Sequence, residues 1–305
     1  MEIQWTLLIF SLFVSLGMGS FAIVAITELR GIMPGIRLPG AITSLAALGI
    51  GSAASYFHLG HPEKIFHILG NIRSGIAQEL IVTSIASAVI FVYTVLLWKD
   101  SAPDVRRKLA LVGLILSPVV PFATGRIYVL AARPAWDTWL LPLMYVASAA
   151  VLGAFTMYLW IMLREPDQKT LATVNKAALL GQVAFTVTIA AYLIYVAMAP
   201  HPHSSRSVAR LLTGDLALLF WGAVVLIGQL GPLFLTWRNM QGPPTSLQAG
   251  VPVSPASGGI SGAVAATAEN RLILAIMGLL CALVGSTAIR MIVYLIGSSV
   301  QSYIY

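Results

Sequence analysis

Histidine and glutamate are the residues of this sequence best suited to proton chemistry, and they occur in one polar segment between two long apolar stretches. His58 follows the second stretch, Glu79 opens the third, and Arg73 lies between them. Histidine titrates near neutral pH and a carboxylate accepts hydrogen bonds, so the pair suits a ligand that presents exchangeable hydroxyl protons. Because lipid cannot satisfy a bare charge, ionisable groups at the ends of membrane helices indicate a functional site.

Each of the two residues also has a simpler explanation when it is considered alone. A carboxylate at the start of the third span is stabilised by the positive end of the helix dipole, by about 0.3–1 kcal/mol. An interfacial histidine can be satisfied by a backbone carbonyl group. The functional interpretation rests on their combination, because adjacent helices would bring His58 and Glu79 to one depth.

A second polar cluster follows the fourth apolar stretch. Arg126 and Tyr128 end that stretch, and Trp136 and Trp139 precede the fifth. Arg126 has apolar neighbours on both sides in sequence, so its side chain must extend to the interface or find a partner within the bundle. The two tryptophans are typical of the aromatic belt at a membrane surface. We therefore assign Arg126 and Tyr128 to the candidate site and the tryptophans to the belt.

Eight apolar stretches must position these clusters. The sequence is 58% hydrophobic and only 10% charged, a composition that excludes a soluble globular domain. The hydrocarbon core is roughly 30 Å thick, so one helical span needs about 20 apolar residues. The sequence predicts an all-α membrane protein, a single domain over residues 1–305 with a bundle of eight transmembrane helices. The predicted spans are 6–28, 39–57, 79–98, 109–129, 139–163, 177–199, 214–237 and 271–298.

The distribution of positive charge predicts the orientation of the bundle. The odd-numbered connections hold eleven Lys and Arg residues and the even-numbered ones hold six, so the odd connections face the cytoplasm and both termini face outward. This places the protein in the cytoplasmic (inner) membrane with the polar segment near the outer face. The connection 238–270, rich in Gly, Pro, Ser and Ala, is predicted to be a flexible cytoplasmic tether. The net charge of +7 reflects this bias, and nucleic acid is not an expected partner.

An iron–sulfur centre that serves this protein would have to lie on a partner chain. Cys281 is the only cysteine, whereas an iron–sulfur cluster needs about four thiolates. The sequence also lacks a phosphate-binding loop, a dinucleotide fingerprint and a zinc-ligand spacing.

Several of these segments resemble one known family. The stretch His58-Leu59-Gly60-His61-Pro62, the pair Arg73-Ser74 with Glu79-Leu80, and Arg126-Ile127-Tyr128 are similar to segments of the DmsC family, the membrane anchor subunits of dimethyl-sulfoxide-reductase-type molybdoenzymes. The late segment Arg290-Met291-Ile292-Val293-Tyr294 resembles the arginine-aromatic segment of that family's last span. The eight-span plan with outward termini is similar too.

The resemblance implies a quinol-binding anchor without a haem or iron–sulfur cluster of its own. Menaquinol would be its bound substrate, and its partners would be a ferredoxin-like subunit carrying four [4Fe–4S] clusters and a molybdopterin catalytic subunit. By position, His58 and Glu79 match the family's quinol-site residues and would accept the protons of quinol. The expected quinol-binding residues are His58, Arg73, Glu79, Arg126 and Tyr128. The chain itself would be a non-catalytic subunit that carries the quinol oxidation site of the complex.

Two other functions remain open from the sequence. A b-type cytochrome anchor would need axial histidines, and the five histidines all lie in two connections of the same side: His58, His61, His67, His201 and His203. A secondary transporter would need helices interrupted near the midplane; Pro118 and Pro121 would interrupt the fourth span. Gln182 and Gln229 could instead join helices within the bundle.

Overall fold

The protein is described by a computed structural model over residues 3–57, 61–164, 168–198, 202–240 and 259–297. All regular structure in these ranges is helical. Short 3₁₀-helices occupy Pro34–Ile36 and Pro62–Asn71, and a π-helix, Leu219–Leu230, runs directly into α8. The α-helices are α1 Trp5–Arg30, α2 Arg37–Tyr56, α3 Gly75–Trp98, α4 Pro103–Arg126, α5 Leu140–Met162, α6 Gln168–Met198, α7 Pro202–Leu212, α8 Gly231–Met240 and α9 Gly259–Ile296.

Among the described residues, eight helical segments are long and apolar enough to cross a membrane, which agrees with the predicted number of spans. Each overlaps its predicted range. They are Trp5–Arg30, Pro34–Tyr56, Gly75–Trp98, Pro103–Arg126, Leu140–Met162, Leu171–Met198, Leu219–Arg238 and Leu272–Ile296. Their orientation relative to the two sides of the membrane stays a prediction.

Helices α1 and α5 form the centre of the bundle. Their apolar windows are 78% buried, against 28–39% for the other six spans. The two helices approach closely at Gly19 and Gly153, where a Cβ atom on either residue would collide with the backbone of the other helix. Small residues of this kind let membrane helices pack tightly. The central position of α1 and α5 explains why buried polar side chains on them can meet partners from several neighbours.

Local sequence signals explain where α3 begins and where α1 ends. Ser74 precedes α3, and its hydroxyl accepts a hydrogen bond from the Ala77 amide (3.1 Å), which caps the helix. At the other end of the bundle, α1 stops at Gly31, whose φ of 66° lies in the left-handed region that glycine tolerates. There the Ile32 amide bonds the Thr27 carbonyl at 3.0 Å.

Two details differ from the sequence-based expectations. Helix α4 continues through Pro118 and Pro121, so these prolines do not interrupt the fourth span. Helix α9 begins at Gly259, within the connection predicted to be flexible; residues 241–258 of that connection lie outside the described residues.

The even number of spans brings both ends of the described chain to one end of the bundle, here called the terminal end. It carries the segments 61–74 and 127–139 and the residues around α7. The opposite end carries the connections at 31–36 and 99–102. Those candidate site residues that the structure describes belong to the terminal end.

Candidate functional site

Glu79 is a buried acid of the terminal end. Because α3 begins at Gly75, the carboxyl group lies just beyond the first turn of the helix and not at its extreme N-terminus. The residue is only 8% exposed. The Thr124 hydroxyl of α4 faces the carboxyl group but donates its own hydrogen bond to the Val120 carbonyl at 3.2 Å. Helix-dipole stabilisation of an exposed carboxylate therefore does not account for this position.

One oxygen of the Glu79 carboxyl group lacks a hydrogen-bond partner. Oε1 is buried and makes no hydrogen bond, and none of the ion pairs between described residues involves Glu79. A buried polar atom without a partner costs about 1–3 kcal/mol, more when it is charged. Such a group is a candidate for binding a ligand or a proton.

The two arginines of the candidate site lie at the surface above Glu79 and are linked through Gln78. Arg126 is exposed and donates a hydrogen bond to the Gln78 side-chain oxygen. The Gln78 amide in turn donates to the backbone carbonyl of Arg73 at 3.5 Å, and the Arg73 side chain is exposed. The structure thus brings Arg73 and Arg126 to one rim. Gln78, which sequence reasoning did not select, is the residue that joins them.

Tyr128 lies beneath this rim in a buried aromatic cluster. Its hydroxyl shares a hydrogen bond with the Tyr294 hydroxyl (2.7 Å). Its ring contacts those of Trp136 and Tyr145, with centroid distances of 5.5 and 5.8 Å. Burial above all raises the pKa of the Tyr128 phenol well above its usual range, and the nearby Glu79 carboxylate adds to this rise. Tyr128 therefore remains a neutral hydroxyl that can donate or accept a hydrogen bond.

The two tryptophans of this segment have different environments. Trp139 is 58% exposed and stacks on Phe122, which agrees with a place in an interfacial belt. Trp136 is 4% exposed, and its indole nitrogen donates to the Val293 carbonyl of α9 at 2.7 Å. The belt interpretation of Trp136 is therefore wrong, because this indole fastens the segment 127–139 onto the last helix.

Arg290 is the main charged group that the sequence did not assign to the site. It is 1% exposed, and its guanidinium lies over the Tyr145 ring, 4.6 Å from the centroid. The signal that could have identified it was present, because a charged residue inside a span marks a function by default. Its hydrogen-bond partners, however, come mostly from helices far away in sequence.

His58 lies outside the described residues, so the structure does not test its predicted position beside Glu79. Helix α2 ends at Tyr56, Phe57 caps it and is 78% exposed, and α2 packs against α3.

Within the described residues, no group of three or more His, Cys, Asp or Glu side chains could hold a metal ion. Gln182 and Gln229 bond each other at 2.7 Å and join α6 to the seventh span, as the helix-joining interpretation predicts.

Comparison with known proteins agrees with the motif resemblance. Residues 1–249 match the family described as DMSO reductase anchor subunit (DmsC). The sequence is also similar to that of one subunit of the anaerobic dimethyl sulfoxide reductase of Escherichia coli (strain K12). The two sequences are 26% identical over 234 residues, which cover 73% of this protein and 79% of the relative.

Proposed function

Because this chain belongs to the DMSO reductase anchor subunit (DmsC) family, it is a multi-pass membrane anchor, and we propose that it also oxidises quinol for its complex. The electrons would pass to an iron–sulfur partner subunit and then to a molybdopterin catalytic subunit. The observation that carries the proposal is the buried Glu79 carboxyl group with one unpartnered oxygen, at the end of the bundle where Tyr128, Arg73 and Arg126 also lie.

Glu79 is the group best placed to accept a proton from quinol. A lipid-soluble quinol reaches a transmembrane bundle from the bilayer, and Glu79 lies on a helix whose outward residue Ile76 is 53% exposed. A hydroxyl of the bound quinol would give the unpartnered Oε1 the hydrogen bond that it lacks. Proton transfer within such a bond needs no rearrangement of the protein. His58, by family resemblance, would serve the same hydroxyl.

The second oxygen of the quinol needs a separate neutral hydrogen-bonding group. Tyr128 supplies one, because its phenol stays protonated and already exchanges a hydrogen bond with Tyr294. Arg73 and Arg126 are too exposed to hold a ligand within the bundle, so in this proposal they line the polar rim through which released protons reach water.

The reaction balances without a cofactor in this chain. Each menaquinol loses two protons, the first to Glu79, and two electrons, which pass to the iron–sulfur clusters of the partner. The anchor thus supplies orientation and proton acceptors, while the partners supply the redox centres.

The variant Glu79→Gln tests the proposal, because an amide keeps the shape of the carboxyl group but cannot accept the proton. We expect reduction of the partner's iron–sulfur clusters by a menaquinol analogue, measured in the purified complex, to slow by at least about 100-fold. His58→Asn should have a comparable effect. Reduction of the clusters by a soluble dye should be unchanged in both variants.

The matched control is Asp137→Asn, which makes the same carboxyl-to-amide change at an exposed position of the same end of the bundle. It should leave the menaquinol rate unchanged. Normal menaquinol oxidation by the Glu79→Gln complex would refute the site assignment.

A further inference from the structure

Arg290 has hydrogen-bond partners for all three of its guanidinium nitrogens, although it is buried within the bundle. Its Nε donates to the Ser11 hydroxyl at 3.2 Å, and its Nη1 to the Ser286 carbonyl at 2.9 Å. Its Nη2 donates to the hydroxyls of Ser15 and Ser148 at 2.8 and 3.1 Å. The guanidinium thus joins α9 to the two central helices α1 and α5.

All of these partners are neutral. Among the described residues, no carboxylate forms an ion pair with Arg290, and hydroxyl and carbonyl dipoles together with the Tyr145 ring stabilise its charge. A charge buried in a membrane protein without a counter-ion is costly, and such a residue faces a functional site by default. The arrangement is complementary to a negative charge that exists only for part of a reaction cycle.

The tyrosines connect this charge with Glu79. Arg290 stacks on Tyr145, whose ring lies beside that of Tyr128 with centroids 5.8 Å apart. Tyr128 in turn bonds Tyr294 at 2.7 Å. Arg126, two residues before Tyr128, bonds Gln78, which immediately precedes Glu79, so Tyr128 and Glu79 belong to the adjoining ends of α4 and α3. The three tyrosines therefore extend from the guanidinium toward the part of the bundle that carries the acid.

We propose that Arg290 is a positioning residue of the quinol site, whose charge acts through Tyr145 and Tyr128 to stabilise the anion formed when quinol loses its first proton. The inference rests on the proposed function. In that step a quinol O–H bond breaks and a carboxyl O–H bond forms on Glu79, which leaves one negative charge on the ligand. That charge disappears when two electrons pass to the partner's iron–sulfur clusters and the second proton leaves. Arg290 touches no ligand atom in this scheme.

A pair of substitutions separates a role of the charge from a role of the hydrogen bonds. Arg290→Gln removes the charge and should slow cluster reduction by a menaquinol analogue by about 10–100-fold, while the Kd of the oxidised analogue changes less than about 3-fold. Arg290→Lys keeps the charge and should stay within about 5-fold of the unmodified complex. If Arg290 only held the helices together, the lysine variant would be as slow as the glutamine variant. An ammonium group cannot reach the hydroxyls of all three serines as the forked guanidinium does.

Two further variants keep the proposal testable if Arg290→Gln fails to assemble. Tyr145→Phe retains the stacked ring and every hydrogen bond that Arg290 makes, but it removes the hydroxyl next to Tyr128. It should slow the menaquinol reaction about 5–10-fold, whereas a structural role of Arg290 predicts no change. The control Arg37→Gln removes a buried arginine from the opposite end. It should leave the rate per assembled complex unchanged, whatever its effect on yield.

Equal rates in Arg290→Gln and the unmodified complex would overturn the inference, and so would a lysine variant as slow as the glutamine variant. A full rate in Tyr145→Phe would do the same. The Glu79→Gln complex, assayed in parallel, separates the two claims. If it is inactive while Arg290→Gln is normal, only the inference fails. If it is active, the proposed function fails.

Discussion

The two ends of the bundle each bury a glutamate, but they treat the carboxyl group differently. At the opposite end, Glu28 of α1 pairs with Arg37 at 2.8 Å and with Arg106 at 3.9 Å, and the Tyr93 hydroxyl donates to it at 3.1 Å. At the terminal end, Glu79 has no cation partner among the described residues and one unpartnered oxygen.

This difference indicates which buried acid has a structural role. The Glu28 cluster is compensated, because Arg37 neutralises the Glu28 carboxylate and Arg106 also pairs with Asp100, and it links α1, α2, α3 and α4. At the terminal end, by contrast, the acid Glu79 and the buried cation Arg290 form no ion pair with each other. Compensated charges fix helices together, whereas separated charges remain able to respond to a ligand.

The largest expected effect is a difference in stability between the variants of the two glutamates. Glu28→Gln leaves Arg37 buried without an anion, so it should lower the free energy of unfolding by about 3–5 kcal/mol. Glu79→Gln should change it by roughly 1 kcal/mol or less, because no partner loses its counter-charge. Thermal unfolding of the purified complexes in detergent measures both. Equal destabilisation by the two variants would show that the two glutamates do not differ in their structural role.

An intermediate loss of stability is expected for substitution of Arg106, the more distant cation of the Glu28 cluster. The Nε of Arg106 is 3.9 Å from the Glu28 carboxylate and makes no hydrogen bond, and Nη1 instead bonds the exposed Asp100 at 3.1 Å. Arg106→Gln should therefore cost about 1 kcal/mol, clearly less than Arg37→Gln. Thermal unfolding of the two variants side by side tests this order, and the reverse order would show that Arg106 carries the compensation.

The smallest effect is expected for an exposed pair with the same chemistry. Arg210 bonds both oxygens of Asp215, at 2.6 and 2.8 Å, and these hydrogen bonds hold the pKa of Asp215 below its usual range. A lowered carboxyl pKa stabilises the fold at neutral pH, and this contribution is lost as the pH falls below about 4. Because water screens the pair, Asp215→Asn should leave the unfolding temperature unchanged at pH 7. A loss of stability as large as that caused by Glu28→Gln would show that burial does not determine how much an ion pair contributes to stability.

Residue types could be selected from the sequence, but their partners could not. Glu79, Arg126 and Tyr128 were selected because each is a polar group at the end of an apolar stretch. The role of Gln78 as the link between the two rim arginines depends on the rotation of α3 against α4. Trp136 shows the same limit, because a tryptophan near an interface can face lipid or protein, and only its bond to α9 distinguishes the two.

The eight spans were determined by the sequence alone, because the thickness of the bilayer sets a minimum length of contiguous apolar chain that can be counted without knowing the fold. The composition of the polar segments likewise predicted the end of the bundle to which we assign the chemistry. Only the tertiary structure decided which buried charges are neutralised. Arg290 finds Ser11, which is 279 residues away, and Glu28 finds Tyr93, which is 65 residues away. Such pairings depend on how helices rotate and slide against each other, and side-chain packing between distant segments fixes their final arrangement.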